Sequence, residues 1–188
     1  MAVIIDVGAA GFPNGNETYR KGDRVLLFEP IGFAYDNLVN KYKNDDRVSI
    51  YNLALSDTKG KATFYNTRKD NCSSLREPNA AVLLERDRND IVEYTTSTVE
   101  TDLLDNYTKD LDRVDFLKLD TQGSEYEVLQ GALETIKKTR KLKVEVEKDE
   151  WYVGQKIAPE VDKFIKTLGF KRYKVNDNKY HADYYYTR

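Results

Sequence analysis

Residues 114–138 run VDFLKLDTQGSEYEVLQGALETIKK, and two periods meet in them. Val114 to Asp120 has the short apolar character of a strand, and Lys118 within it is costly unless it reaches an edge or pairs with an acid. From Ser124 to Lys138 the spacing predicts a helix, with Val128, Leu129, Ala132, Leu133 and Ile136 on one face. Ser124 and Glu127 stand at capping-box spacing, so each side chain is expected to satisfy an orphan amide at the helix start. A strand that turns through Gly123 into a helix is the repeating unit of a parallel α/β sheet.

The rest of the chain repeats that unit. Ala2 to Val7, Arg24 to Glu29, Val48 to Ala54 and Lys141 to Glu147 are expected strands. Between Ile31 and Asn44, Tyr35, Leu38, Val39 and Tyr42 keep helical spacing. A last helix spans about Pro159 to Leu168, with Pro159 suited to its first turn and Gly169 to its stop. Two closing strands, Lys171 to Val175 and Ala182 to Thr187, flank Asn176-Asp177-Asn178, a turn that would make the last strand antiparallel. Together these predict a single domain over residues 1–188, a mostly parallel sheet with helices on both faces. The stretch 61–98 is expected to be an irregular insertion over the C-terminal edge of the sheet, where such folds place ligands.

Composition narrows the functional classes. A net charge of −2 provides no global basic field to recruit nucleic acid or an anionic membrane. The run Lys137, Lys138, Arg140, Lys141, Lys143 closes a helix, where cations favour the helix dipole, and is expected to be a solvated helix end. The single cysteine, Cys72, rules out an intrachain disulfide and fits a reducing compartment; with His181 as the single histidine, a zinc site of the usual type is excluded. Neither a membrane span nor a signal peptide is read, so a cytoplasmic location is expected.

The stretch from Ile4 to Pro30 points to a ligand. Gly8 and Gly11 follow the first strand in a turn that lets the backbone approach a bound group, and Glu29 ends the second strand, where a carboxylate can accept both hydroxyls of a ribose. A pyrophosphate is disfavoured: Pro13 has no amide to offer, Asn14-Gly15 favours a turn over a helix, and Asp6 would repel it. A methionine ammonium would welcome Asp6 instead. The local chemistry favours S-adenosylmethionine over a dinucleotide.

In order and spacing, "IIDVGAAG", "LLFEP", "NLALSD", "FLKLDTQGSEYEVLQGA" and "LKVEVE" resemble the FkbM family of S-adenosylmethionine-dependent methyltransferases. The most specific element, residues 118–131, is similar to the family's K-x-D-x-E-G-x-E-x-x-V-L-x-G, with Gln122 in place of Glu. The resemblance implies the Rossmann-like, seven-stranded class I methyltransferase sheet with its last strand antiparallel. It also implies that Asp6, Gly8, Ala9 and Gly11 line the methionine part of the cofactor and that Glu29, followed by Pro30, holds the ribose. Asn52, Leu53 and Ala54, with Asp57 close behind, would border the adenine, and Asp120 would face methyl donor and acceptor.

Methyl transfer needs an aligned acceptor, and a sugar hydroxyl needs help losing its proton. Asp120 is the expected catalytic carboxylate; the alternative is a residue capping the Gly123 turn. Glu125 in the first helical turn suits either the site or the helix dipole. Glu145 and Glu147 share one face of a strand, and Glu147, nearer the strand's end, is expected in the site. Asp120 with Glu147 could also hold a divalent ion, but no metal site is assigned. Ser73 and Ser74 suit either a lid or an ordinary loop, Trp151 and Tyr152 either a sugar platform or packing, and His181 is expected to be a solvated turn residue rather than a base. The expected function is O-methylation of a glycan or small hydroxylated acceptor. The alternatives are a cofactor-binding module without turnover and a nicotinamide-dependent oxidoreductase.

Overall fold

The computed structural model describes residues 1–10, 20 and 22–188, the side chain of Asp70 excepted. Gly11 and the Pro13-Asn14-Gly15 turn lie outside the described residues. Along the chain come β1 (Val3–Val7), β2 (Arg24–Phe28), α1 (Gly32–Tyr42), β3 (Val48–Tyr51), β4 (Ala54–Leu55) and β5 (Gly60–Thr67). Next are α2 (Ala80–Glu85), α3 (Asn89–Val92), β6 (Tyr94–Asp102), β7 (Phe116–Leu119), α4 (Glu125–Gln130) and α5 (Leu133–Lys137). The chain closes with β8 (Lys141–Glu147), α6 (Ala158–Thr167), β9 (Lys171–Asp177) and β10 (His181–Thr187).

Among the described residues, seven strands form one sheet in the order β3-β2-β1-β7-β8-β10-β9. The pairings from β3 through β8 are parallel, and β10 runs antiparallel to both β8 and β9; the turn falls at residues 178–180 rather than 176–178, because Asn176 and Asp177 extend β9 and pair with Asp183 and Ala182. Alternation along β1 explains the layers. Ile5 and Val7 enter a core with Leu117, Leu119, Val144 and the apolar faces of α4, α5 and α6, whereas Ile4 packs with Val25, Leu27 and Leu38 of α1. Strands apolar on both faces are what a helix-covered parallel sheet demands.

Three local expectations are corrected. The third strand ends at Tyr51 rather than Ala54: the Asn52 amide donates to the carbonyls of Glu29 (2.9 Å) and Pro30 (3.2 Å), and Ala54 turns away to pair with Thr101 in a second sheet, β4-β6-β5. The expected helix 124–138 is two helices. A Cβ on Gly131 would lie 2.0 Å from the Ser56 carbonyl oxygen, so only glycine fits at the break. Asp105 then caps α5 from a distant segment, accepting from the amides of Glu134 (3.0 Å) and Thr135 (2.7 Å).

The capping box is also replaced. Glu127 pairs with Arg76 at 2.5 Å, and the Ser124 side chain makes no cap. Glu125, the first residue of α4, instead braces the turn before the helix: its carboxylate accepts from the amides of Thr121 (2.6 Å) and Gly123 (3.0 Å).

The segment between β5 and β6 carries α2 and α3 on a small separate core of Cys72, Leu83, Ile91, Trp151 and Tyr152. Tyr152 ties it to the main sheet, donating its phenol to the Cys72 carbonyl at 2.8 Å while its ring sits against Gly123. Trp151 and Tyr152 are thus buried packing residues and present no platform to a sugar. Ser74 adds a second tie, donating to the Gln122 carbonyl at 2.6 Å.

Candidate active site

The ends of β1, β2 and β7 open on a cavity of about 300 Å³, a volume within the range of small-molecule sites. Among the described residues its floor is Gly8, Ala9, Glu29, Lys118 and Asp120. Leu53, Ala54, Phe33 and Pro30 supply an apolar side, and Phe64, Asn71, Ser73 and Leu75 reach over from the second sheet and the segment after it. Gly8 is required at the floor. It has φ +77, and a Cβ there would fall 1.8 Å from the Asp120 carbonyl oxygen.

Glu29 is the residue most plainly built for a ligand. Its side chain is buried, yet it lines the cavity. Oε2 accepts from the Ala10 amide (2.7 Å) and Oε1 from the Ile31 amide (2.9 Å), which fixes the carboxylate. A carboxylate has roughly four lone-pair positions, so two remain for a pair of hydroxyls. Burial pushes its pKa up to about 7 against the opposing pull of those two amides.

Beside it lies a charged row. Lys118 Nζ stands 3.2 Å from Asp6 and 3.5 Å from Asp120. Burial alone would weaken the ammonium, but the two carboxylates outweigh it and raise its pKa above the ordinary lysine range. The Lys118 of the strand pattern therefore pairs with acids as its burial requires. Asp6 is buried, pairs with Lys118 and is not among the described residues that line the cavity. Its expected repulsion of a pyrophosphate loses force accordingly.

Asp120 meets Glu145 rather than Glu147. Leu119 pairs with Val144, so Asp120, the residue after β7, lies beside Glu145, and Glu147 is two positions, about 6.6 Å, farther on. Gln122 Nε2 donates to Asp120 Oδ1 (3.0 Å) and to Glu145 Oε2 (2.6 Å), holding the two acids together. Burial tends to raise the Asp120 pKa, but Lys118 and the hydrogen bonds from Glu145 and Gln122 hold it below the usual carboxylate value. Burial and the neighbouring Asp120 charge push Glu145 well above it.

The remaining expected residues are dispersed. Glu147 is buried and accepts from Gln155 Nε2 at 2.9 Å; Glu125 is buried and braces the turn described above. Asn52 braces the Glu29–Pro30 backbone, and Asp57 is exposed and bonded by Ser56 and Thr58. Among the described residues no group of three or more His, Cys, Asp or Glu side chains could hold a metal ion. Strand register, invisible in one strand's sequence, decides which acid faces Asp120, and here it selects Glu145 over Glu147.

These buried acids set a pH dependence. Glu29 and Glu125 have pKa values of about 7 and Glu147 about 8, burial being the main cause in each case. All are raised above the unfolded value, so the folded state binds more protons and stability falls as pH rises through 7–8. The melting temperature is expected to be roughly 5–10 °C lower at pH 8.5 than at pH 6; an equal or higher value at pH 8.5, by calorimetry, would contradict the burial of these acids.

The strand order, with one antiparallel strand beside the edge and a ligand cavity at the strand ends, defines the class I S-adenosylmethionine-dependent methyltransferase fold. The chain superposes on magnesium protoporphyrin IX methyltransferase from Synechocystis with bound S-adenosylmethionine (TM-score 0.55, 10% identity, 100% of this chain and 70% of that one). It superposes likewise on the fibrillarin pre-rRNA processing protein of Methanococcus jannaschii (TM-score 0.56, 12% identity, 99% and 66%). The Methyltransferase FkbM domain matches residues 6–172, so the chain belongs to the FkbM methyltransferase family, whose cofactor is S-adenosylmethionine. A relative, the 2-O-methyltransferase NoeI of Sinorhizobium fredii, is 27% identical over 163 residues, covering 81% of this chain and 66% of that protein's length. Among the described residues no helix is long and apolar enough to cross a membrane.

Proposed function

We propose that this chain is an O-methyltransferase that methylates a hydroxyl of a sugar, glycan or similarly small acceptor in the cytoplasm. The observation that carries the reading is Asp120, paired with Lys118, on the wall of a cavity whose floor also presents the fixed, half-satisfied carboxylate of Glu29. The 2-O-methyltransferase relative supports oxygen as the atom methylated. When bound, S-adenosylmethionine would supply an electrophilic methyl group. Glu29 would hold its ribose, Leu53, Ala54 and Phe64 would flank its adenine, and Lys118 would offer a cation to its carboxylate. Asp120 would accept the acceptor's proton as oxygen becomes the nucleophile.

Gln122 does not favour the reading without turnover. A Glu at that position would put a third carboxylate against Asp120 and Glu145, whereas the amide donates to both and keeps them together.

Calorimetry with S-adenosylhomocysteine and with NAD tests the cofactor, and methyl transfer from labelled S-adenosylmethionine to a panel of methyl glycosides tests the acceptor. Glu29→Gln is expected to weaken S-adenosylhomocysteine binding by about 10–100-fold, the worth of a charged hydrogen bond. Unchanged affinity in that variant would remove Glu29 from the ribose site, and tight NAD binding would favour an oxidoreductase.

A further inference from the structure

The polar side chains around the turn from β7 to α4 are mostly spent inside the protein. The Thr121 hydroxyl donates to Glu125 Oε1 (3.0 Å), the Gln122 amide to Asp120 and Glu145, and the Ser74 hydroxyl to the Gln122 carbonyl (2.6 Å). Two serines differ. Ser124 lines the cavity and is only 3% exposed, yet its hydroxyl has no hydrogen-bond partner among the described residues. That oxygen is not sealed from solvent, so the little surface it keeps opens on the cavity. Ser73, 8% exposed, lines the same cavity. Its oxygen accepts from the Thr67 amide at 3.1 Å, and its O–H has no acceptor among the described residues. A hydroxyl carries one donor and two lone pairs, so Ser73 keeps a donor and Ser124 keeps a donor and acceptors together.

A short chain of contacts brings both serines to Asp120. Ser74 holds the Gln122 carbonyl, and the Tyr152 phenol holds the Cys72 carbonyl (2.8 Å) while its ring packs on Gly123. Gln122 in turn holds Asp120 Oδ1 at 3.0 Å. The stretch around Ser73 is thereby fastened to the turn that runs from Asp120 to Ser124. Asn71, exposed at its end of that stretch, lines the cavity too, and its side-chain NH2 has no partner among the described residues.

Charge sorts the ligands this wall can take. Glu29, Asp120 and Glu145 line the cavity, and Lys118, held by Asp6 and Asp120, is the one cation among the described residues that do. An acceptor bearing a carboxylate or phosphate would meet acids whose neighbouring cation is already engaged. A neutral hydroxyl both donates and accepts, and so suits either serine.

We propose that Ser73 and Ser124 form an acceptor subsite that binds a second hydroxyl of a neutral sugar while another of its hydroxyls meets Asp120. This rests on the methyl-transfer reading above. Ser73 donates to a sugar oxygen, Ser124 donates to or accepts from a sugar hydroxyl, and Asn71 extends the subsite at its outer end. A phenol or a simple alcohol has no second oxygen to offer it, and an acidic sugar is repelled.

Calorimetry on the S-adenosylhomocysteine-loaded protein, with neutral methyl glycosides and the monodeoxy analogues of each, reads the subsite. The best-bound glycoside is expected to lose about 3–10-fold in affinity when the hydroxyl held by the subsite is removed. Ser124→Ala should bind that glycoside about 3–10-fold more weakly and its deoxy analogue as the unaltered protein does. Because no cap is lost, its melting temperature should stay within about 2 °C of wild type and its S-adenosylhomocysteine affinity should hold. Ser73→Ala also strips the Thr67 amide of its partner, so Ser124→Ala, which breaks no internal bond, decides. Equal losses for glycoside and deoxy analogue in Ser124→Ala, no glycoside bound, preferred binding of uronates or sugar phosphates, or weakened S-adenosylhomocysteine binding in Ser124→Ala would each overturn the subsite. Failure of the unaltered protein to bind S-adenosylhomocysteine would instead defeat the methyltransferase reading itself.

Discussion

Asp120→Asn is expected to lower kcat for methyl transfer by about 10²–10⁴-fold, the usual worth of a general base. The amide has nearly the shape of the carboxylate, so Gln122 and the Gly8 contact can persist, but it cannot take a proton at neutral pH. Affinity for S-adenosylhomocysteine should change by no more than about tenfold, because one hydrogen-bonding group is exchanged for another. The split matters: a loss in kcat with binding retained places Asp120 at the proton, whereas an equal loss in both would make it a cofactor ligand only. Steady-state turnover on the best acceptor of the glycoside panel is the measurement. Undiminished turnover would remove Asp120 from the chemistry and leave the acceptor's proton to solvent.

Gly8→Ala should destabilise the protein by about 3 kcal/mol or more and lower its melting temperature by roughly 6–12 °C. Two independent penalties add. The backbone at Gly8 is left-handed, at φ +77, and the new methyl would lie 1.8 Å from the Asp120 carbonyl oxygen. Neither partner can retreat cheaply, because the Gly8 amide donates to the Phe28 carbonyl at 3.0 Å and the Asp120 amide to the Val7 carbonyl at 3.1 Å. The same close approach brings the β1 turn and Asp120 to one cavity, so cofactor binding should fall with stability. Calorimetry on the variant, with and without S-adenosylhomocysteine, checks both effects; a melting temperature within 2 °C of wild type would mean that the two strand ends are not locked together.

Apolar spacing, glycines and the acids at strand ends are local properties, and the sequence by itself determined what depends on them. The strand–helix alternation, the antiparallel last strand and the family are of that kind, as are the grouping of Gly8, Ala9, Glu29 and Asp120 near strand C-termini. Tertiary structure alone decided the rest, because each remaining answer depends on what a distant segment offers. Glu145 rather than Glu147 faces Asp120 through the register of β7 on β8. The helix after Asp120 breaks at Gly131 because Ser56 passes there and Asp105 caps the second piece. Asp6 pairs with Lys118, and Trp151 and Tyr152 fill a core instead of meeting a ligand. An alternating strand shows which side chains share a face; which of them meets a reacting group is set by the strand beside it.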